Sequence, residues 1–150
     1  MRAWTKQKTV VTASVILLLL ILWLVPGRVT AAYHEAALKR ALTSMPSGTE
    51  TVTLEEVVPF DWERVYTFSP YTTRAEMEEV IGFQSGALEE SVSEGMVQLV
   101  FVKGDKVAAA ICGYPQTLGY SVSLRDCVAY GDEAVFSVEK QEGITVLRQQ

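Results

Sequence analysis

Asp61 and Glu63 are two carboxylates placed two residues apart in a segment with strand character. Alternate residues of a strand point to the same face, so both carboxylates would lie on one side of it. Such a pair can divide the roles of acid and base in hydrolysis, as in glycosidases. Alternate strand carboxylates more commonly face solvent, and hydrolase activity is therefore the weakest of the functions considered for this sequence.

Cys112 and Cys127 offer thiol chemistry or a covalent link. If both lie in an exported part of the chain, a disulfide between them is one expectation. It would stabilise the fold by about 3 kcal/mol on the chain-entropy model. The alternative is that both are inert thiols, with Cys112 acting as a small buried strand residue.

The remaining reactive side chains do not complete a catalytic set. His34 is the only histidine, and its neighbours Glu35 and Lys39 place it on the predicted wet face of a helix. Two lone cysteines and one distant histidine are an incomplete ligand set, so neither a metal nor a cofactor is predicted. Ser137 and Lys140 are three residues apart on a predicted strand, which sends their side chains to opposite faces. The sequence therefore predicts a protein that is not an enzyme.

Aromatic side chains are concentrated in residues 60–71, FDWERVYTFSPY, which hold five of the fourteen aromatic residues. Rings on one strand face could stack on a sugar or a peptide while an arginine orients a carboxylate. The candidate ligand or partner surface consists of Trp62, Arg64, Tyr66, Phe68 and Tyr71. The alternative is a core layer beneath the following helix. A second candidate surface comprises Tyr114, Tyr120 and Tyr130.

These side chains must be positioned by short strands and a few helices. Local signals are clearest for one helix, where Thr73 and Glu76 form a capping-box pattern and Gly82 marks the end. Two hairpins are predicted, around residues 103–105 and 141–143. The fold class predicted is α+β, an antiparallel sheet of about five to seven strands with one short helix packed on it. The predicted strands cover residues 51–57, 62–68, 96–102, 106–112, 120–124, 134–139 and 144–148.

The amino-terminal part has the pattern of an export signal. Residues 10–25 read VVTASVILLLLILWLV without a charge, behind three basic residues. A helix of that length spans about 24 Å, between a signal-peptide core and a full membrane crossing. We expect either an uncleaved single-pass anchor, with its N-terminus inside, or a signal peptide that is removed. Both place the following domain outside the membrane.

Charge divides the chain in the same way. Residues 1–30 carry +4 and residues 31–150 carry −9, which sum to the net −5 of the whole chain. Such an acidic domain argues against binding nucleic acid. The predicted organisation is a basic tail (1–9), the apolar segment (10–25), a stalk or lid helix with its linker (26–48) and an extracytoplasmic domain (49–150).

One resemblance adds to this organisation. The motif F-D-W-x-x-V-Y-x-F-x-P-Y-T, the capped helix ending in Gly-Phe, LVFVK-x-x-KV and EAVFSVEK lie within residues 58–140. Together they resemble a loose group of uncharacterised small bacterial proteins that are membrane-anchored or secreted. The resemblance implies an exported, membrane-associated domain and brings no catalytic residues with it.

Three functions follow as expectations. The leading one is a non-enzymatic extracytoplasmic domain, tethered by its amino-terminal helix, that binds or scaffolds an envelope protein or peptide. The second is a ligand-binding module that uses the aromatic strand for a peptide or glycan. The third is the carboxylate-based hydrolase.

Overall fold

The computed structural model describes residues 14–16 and 26–150. The predicted membrane segment, residues 10–25, lies outside this range except for residues 14–16, which are helical. Within the described ranges, no helix combines the length and the apolar character needed to cross a membrane.

Residues 26–150 form an α+β fold, as the sequence predicts. The helices are α1 (Pro26–Thr43), α2 (Leu54–Val57), α3 (Arg74–Ile81) and α4 (Pro115–Leu118). The strands are β1 (Thr51–Thr53), β2 (Arg64–Thr67), β3 (Val97–Lys103), β4 (Lys106–Gly113), β5 (Tyr120–Ser123), β6 (Cys127–Ala129), β7 (Val135–Gln141) and β8 (Ile144–Gln149).

The strands form two four-stranded sheets rather than the single antiparallel sheet expected. Sheet I has the order β1-β7-β8-β5, and sheet II has the order β4-β3-β2-β6. Sheet II is antiparallel throughout, whereas β5 pairs with β8 in parallel. The chain leaves sheet I after β5, contributes β6 to sheet II and then returns through β7. This excursion brings β8 back beside β5 in the same direction.

A main core lies between the sheets, and a smaller one lies on the other face of sheet II. Fully buried side chains from both sheets meet in the main core, including Val65, Phe101, Phe136 and Leu147. The second core lies beneath α3 and gathers Met77, Leu88, Val100 and Val102. Strand β3 is therefore covered on both faces, which explains its nearly continuous hydrophobic sequence.

Helix α1 belongs to the main core. Its Leu38 and Leu42 are buried there, so this helix packs on the sheet as a lid and does not form a separate stalk. Its side chains also cover the outer edge of β4, the terminal strand of sheet II. The Nδ1–H of His34 donates to the carbonyl of Ala108 at 2.8 Å, and the backbone N–H of Ala110 donates to the Glu35 carboxylate. The prediction of a solvated His34 is therefore wrong, because this side chain replaces a missing strand neighbour.

The helix cap and the two hairpins predicted from local sequence are present, whereas one predicted strand is shorter than expected. The capping box of α3 is confirmed, since Glu76 N–H donates to Thr73 Oγ1 and the N–H of Thr73 donates to the Glu76 carboxylate. Gly82 ends this helix with a left-handed φ of 89°. Both predicted hairpins are present. The strand predicted over residues 51–57 is wrong beyond Thr53, because the Glu56 carboxylate accepts from the N–H of Thr53 and starts α2.

The two cysteines are free thiols. Cys112 lies in β4 and Cys127 in β6, the outermost strands of sheet II. Three strand spacings separate them, about 14 Å, whereas a disulfide requires Cα atoms within about 7 Å. The expected disulfide is therefore wrong.

Candidate functional site

An open groove of about 490 Å³ lies where the segment before β2 meets the β3–β4 turn and the loop after β6. We call it the acidic groove. Its lining residues are Glu55, Val58, Pro59, Phe60, Asp61, Trp62, Glu63, Lys103 and Tyr130.

Aromatic rings form the base and one wall of the acidic groove. Trp62 is 4% exposed and packs edge-on against Phe101 and Tyr130, with ring centroids 5.8 Å and 5.4 Å away. Phe60 packs edge-on against Phe101 and stacks on the His34 imidazole at 4.5 Å. Tyr130 remains 61% exposed. The rings therefore give the groove a fixed base and one accessible aromatic side chain.

An exposed ion pair lies at the rim. The Nζ of Lys103 donates to Asp61 Oδ2 at 2.6 Å, and both side chains are largely in solvent. This hydrogen bond, with the charge of Lys103, lowers the pKa of Asp61. An ion pair so exposed contributes little to stability, and it can open to exchange partners at low cost.

Two further carboxylates bind backbone groups of neighbouring loops. Glu63 Oε2 accepts from the N–H of Gly104 at 3.1 Å, and Glu55 Oε1 accepts from the N–H of Gly131 at 2.8 Å. The second oxygen of Glu55 is buried and accepts no hydrogen bond from any residue that the structure describes. Because buried carboxylate oxygens are normally hydrogen-bonded, this oxygen is an unsatisfied acceptor, and a donor in the groove can reach it once the Glu55 side chain turns outward.

The geometry does not favour Asp61 and Glu63 as an acid–base pair. Both line the groove, although they precede β2 and the strand alternation that suggested the pair does not apply to them. A general acid in hydrolysis needs a raised pKa, usually through burial. Asp61 is exposed instead, and its pKa is lowered by Lys103. Asp61 is thus suited to holding a cation and poorly suited to donating a proton.

The five residues of the predicted aromatic surface do not share one face. Strand β2 begins only at Arg64, so Trp62 lies before it and turns into the main core. Tyr66 and Phe68 lie on the opposite face of sheet II, half-buried in the second core. The exposed Arg64 guanidinium bonds to the Tyr66 hydroxyl, which raises the pKa of Arg64. Tyr71 is exposed in the turn before α3.

The second predicted tyrosine surface is also divided. Tyr120 is buried, Tyr114 is exposed beside α4, and Tyr130 alone lies in the acidic groove. Burial raises the pKa of the Tyr120 hydroxyl, as does the nearby Glu35 carboxylate.

Metal and thiol chemistry receive no positive support from the geometry. In residues 14–16 and 26–150, no three His, Cys, Asp or Glu side chains are grouped as a metal ion would require. Burial raises the pKa of both Cys112 and Cys127, which disfavours the reactive thiolate.

A second hollow of about 420 Å³ runs along the edge of sheet I, between residues 46–50 and 137–140. It has no aromatic lining. Its Glu139 is paired with Arg148 at 3.2 Å, and its Lys140 donates to the carbonyl of Met45. The acidic groove, with an unpartnered carboxylate oxygen and an accessible ring, is the stronger candidate site.

Comparison with protein-family models, with curated proteins and with solved structures finds no match to this chain.

Proposed function

We propose that this protein is a non-enzymatic, membrane-tethered binding domain outside the membrane, and that its acidic groove binds a basic segment of another envelope protein. The observation that carries the proposal is the buried Glu55 Oε2, which has no hydrogen-bond donor among the described residues and belongs to a lining that also includes the exposed Tyr130.

The chemistry of the groove favours a cationic partner. Its three carboxylates outnumber its one ammonium group, so a lysine or arginine side chain would gain favourable electrostatic energy on entering. A guanidinium could donate to Glu55 Oε2 once that side chain turns toward the groove, while its plane stacks on the Tyr130 ring. A cationic side chain of the partner could then displace Lys103 from Asp61 and form its own ion pair with that carboxylate.

Tethering and export enter the proposal from the sequence. The uncharged residues 10–25 follow three basic residues, a pattern that favours an uncleaved anchor with the domain outside. Removal of this segment as a signal peptide is the alternative, and it would release the same domain. The binding role of the groove is the same in both cases.

The proposal is tested by binding of a blocked peptide, Gly-Arg-Gly-Lys-Gly-Arg, to the full chain in detergent micelles. Glu55→Gln replaces a charge-assisted hydrogen bond by a neutral one, so we expect affinity to fall roughly tenfold, equivalent to about 1.4 kcal/mol. Isothermal titration calorimetry or chemical-shift titration measures the dissociation constant.

Glu79→Gln is the matched control, since Glu79 is exposed on α3, across sheet II from the main core. It makes the same change of charge and should alter affinity less than twofold. Equal losses in the two variants would show that only net charge matters. Failure of the unmodified protein to bind the peptide at millimolar concentration would refute the proposal.

A further inference from the structure

We infer that the acidic groove lies close to the bilayer surface, and that its partner is a basic juxtamembrane segment of a second membrane protein. This inference rests on the proposed function, because it requires both the tether and a groove that binds basic peptide. It adds the height of the groove above the membrane and the kind of partner that reaches it.

Helix α1 sets the height. It begins at Pro26, immediately after the apolar residues 10–25, and is helical without interruption to Thr43. Ala31, one turn beyond the start, is already 3% exposed in the packed domain. The described chain therefore has no flexible linker between the start of α1 and the domain.

The groove contacts the middle of this helix, at His34. His34 lies eight residues after Pro26, about 12 Å along the helix axis at 1.5 Å per residue. The His34 ring stacks on Phe60 at 4.5 Å, and Phe60 lines the groove. With the reach of the His34 side chain added, the sum gives an upper limit of about 20 Å between the start of α1 and this wall of the groove, whatever the tilt of the helix.

The exposed side chains near the start of α1 suit an interfacial position. Val29 and Tyr33 are 61% and 72% exposed, although both are large and partly or wholly apolar. Aromatic side chains are favoured at the level of the lipid headgroups, where a ring can be partly inserted and its hydroxyl hydrated. If the domain lies near the bilayer, the lipid headgroups would cover Val29 and Tyr33. Neither side chain is part of the core, so the core would be unchanged.

This height selects the partner through effective concentration. A basic segment that leaves the bilayer within a few residues of its own membrane helix is held at the same height as the groove. Its effective concentration at the groove is therefore high. A segment on a long tether or a soluble protein samples a much larger volume, so its effective concentration is lower. The structure thus favours a juxtamembrane lysine- or arginine-containing segment over a distant one.

The experiment compares spacers on one probe. The full chain is incorporated into phosphatidylcholine vesicles together with the peptide Gly-Arg-Gly-Lys-Gly-Arg, joined to a palmitoylated anchor by 6 or 48 Gly/Ser residues. These spacers have root-mean-square lengths of about 13 and 40 Å. Because both molecules diffuse freely in the bilayer, the spacer confines the peptide only in height, and its local concentration falls as the inverse of the root-mean-square length. We therefore expect the short spacer to bind about threefold more tightly, measured by energy transfer between labelled protein and peptide.

A lengthened protein provides the matched control. A 14-residue Glu-Ala-Ala-Ala-Lys-type helical insert between Arg28 and Val29 would lengthen the tether by about 21 Å and raise the domain by up to that amount. In that variant the short spacer should lose its advantage, whereas the affinity for free peptide should be unchanged.

Equal or tighter binding through the long spacer in the unmodified chain would overturn the inference, while binding of free peptide that depends on Glu55 would leave the proposed function intact. Absence of binding to free peptide would overturn both.

Discussion

His34 holds the start of the packed part of α1 through two different contacts. Its Nδ1–H donates to the Ala108 carbonyl, and its ring stacks on Phe60. A net hydrogen bond contributes about 1 kcal/mol and an aromatic pair a further 0.5–1.5 kcal/mol. We therefore expect His34→Ala to lower the free energy of unfolding by about 2 kcal/mol in urea denaturation. Ala36→Ser, at an exposed position of the same helix, should cost about 0.5 kcal/mol. Equal effects of the two substitutions would contradict this role.

Glu35 gives the stability of the domain a defined pH dependence. Burial raises the pKa of this carboxyl, and the neighbouring Glu89 carboxylate acts in the same direction, against the hydrogen bond from the Ala110 N–H. The buried Tyr120 hydroxyl lies close enough for the Glu35 charge to raise its pKa as well. The folded state therefore binds a proton at Glu35 more tightly than the unfolded state.

The sign of the effect follows from linkage. Between the model-compound pKa of 4.5 and the raised folded value, folding takes up a proton, so this stabilising contribution is lost as pH rises. Above the raised folded value the ionised Glu35 is a net cost. We expect Glu35→Gln to increase the free energy of unfolding above that value and to flatten the fall that begins near pH 4.5, measured by urea denaturation at several pH values. A variant that is less stable throughout and keeps the original slope would count against this assignment.

Helix α1 contributes buried side chains to the main core, although much of its sequence consists of small and charged residues. Leu38 is 1% exposed within the core that both sheets share. Truncation of such a side chain removes apolar burial and leaves a cavity, which costs 2–5 kcal/mol. We expect Leu38→Ala to destabilise the domain by about 3 kcal/mol in urea denaturation. Val80→Ala, at a 57% exposed position on α3, should cost less than about 1 kcal/mol. A Leu38→Ala effect as small as that of Val80→Ala would mean that α1 is only loosely attached.

The elements that sequence predicts best are those with local causes. Helix α3 and the β3–β4 hairpin depend on contacts between residues close in the chain, such as the hydrogen bonds joining Thr73 and Glu76. The division into two sheets and the short strand β6 depend on pairings between distant segments, for which no local pattern exists. Trp62 was expected to alternate with Tyr66, but the strand begins after Trp62 and the alternation does not apply there.

The candidate site was predicted only in part for the same reason. Asp61, Glu63, Trp62 and Tyr130 could be named from sequence, because carboxylate spacing and aromatic density are local features. Glu55 could not, since its partner Gly131 lies 76 residues away. Its importance follows only from the fold.

At the scale of the whole molecule, charge acts at two ranges. Residues 31–150 contain 18 acids and 9 bases, so they carry −9, and this surplus attracts a basic partner from a distance. The groove carboxylates act only on contact. Long-range attraction should govern the rate of association, whereas the contacts in the groove should govern the rate of dissociation.

We therefore expect salt to separate these two contributions in stopped-flow measurements with the same blocked basic peptide. Raising ionic strength from 0.01 to 0.15 M shortens the Debye length from about 30 to 8 Å, which should lower the association rate severalfold and change the dissociation rate little. A triple variant that neutralises exposed acids outside the groove, Glu79→Gln, Glu94→Gln and Glu142→Gln, reduces the charge of residues 31–150 from −9 to −6 and should likewise slow association alone. Glu55→Gln should instead speed dissociation, because it weakens a contact made only in the complex. If the triple variant accelerated dissociation as much as Glu55→Gln, the peptide would be held by the general field of the domain and the groove would not be its binding site.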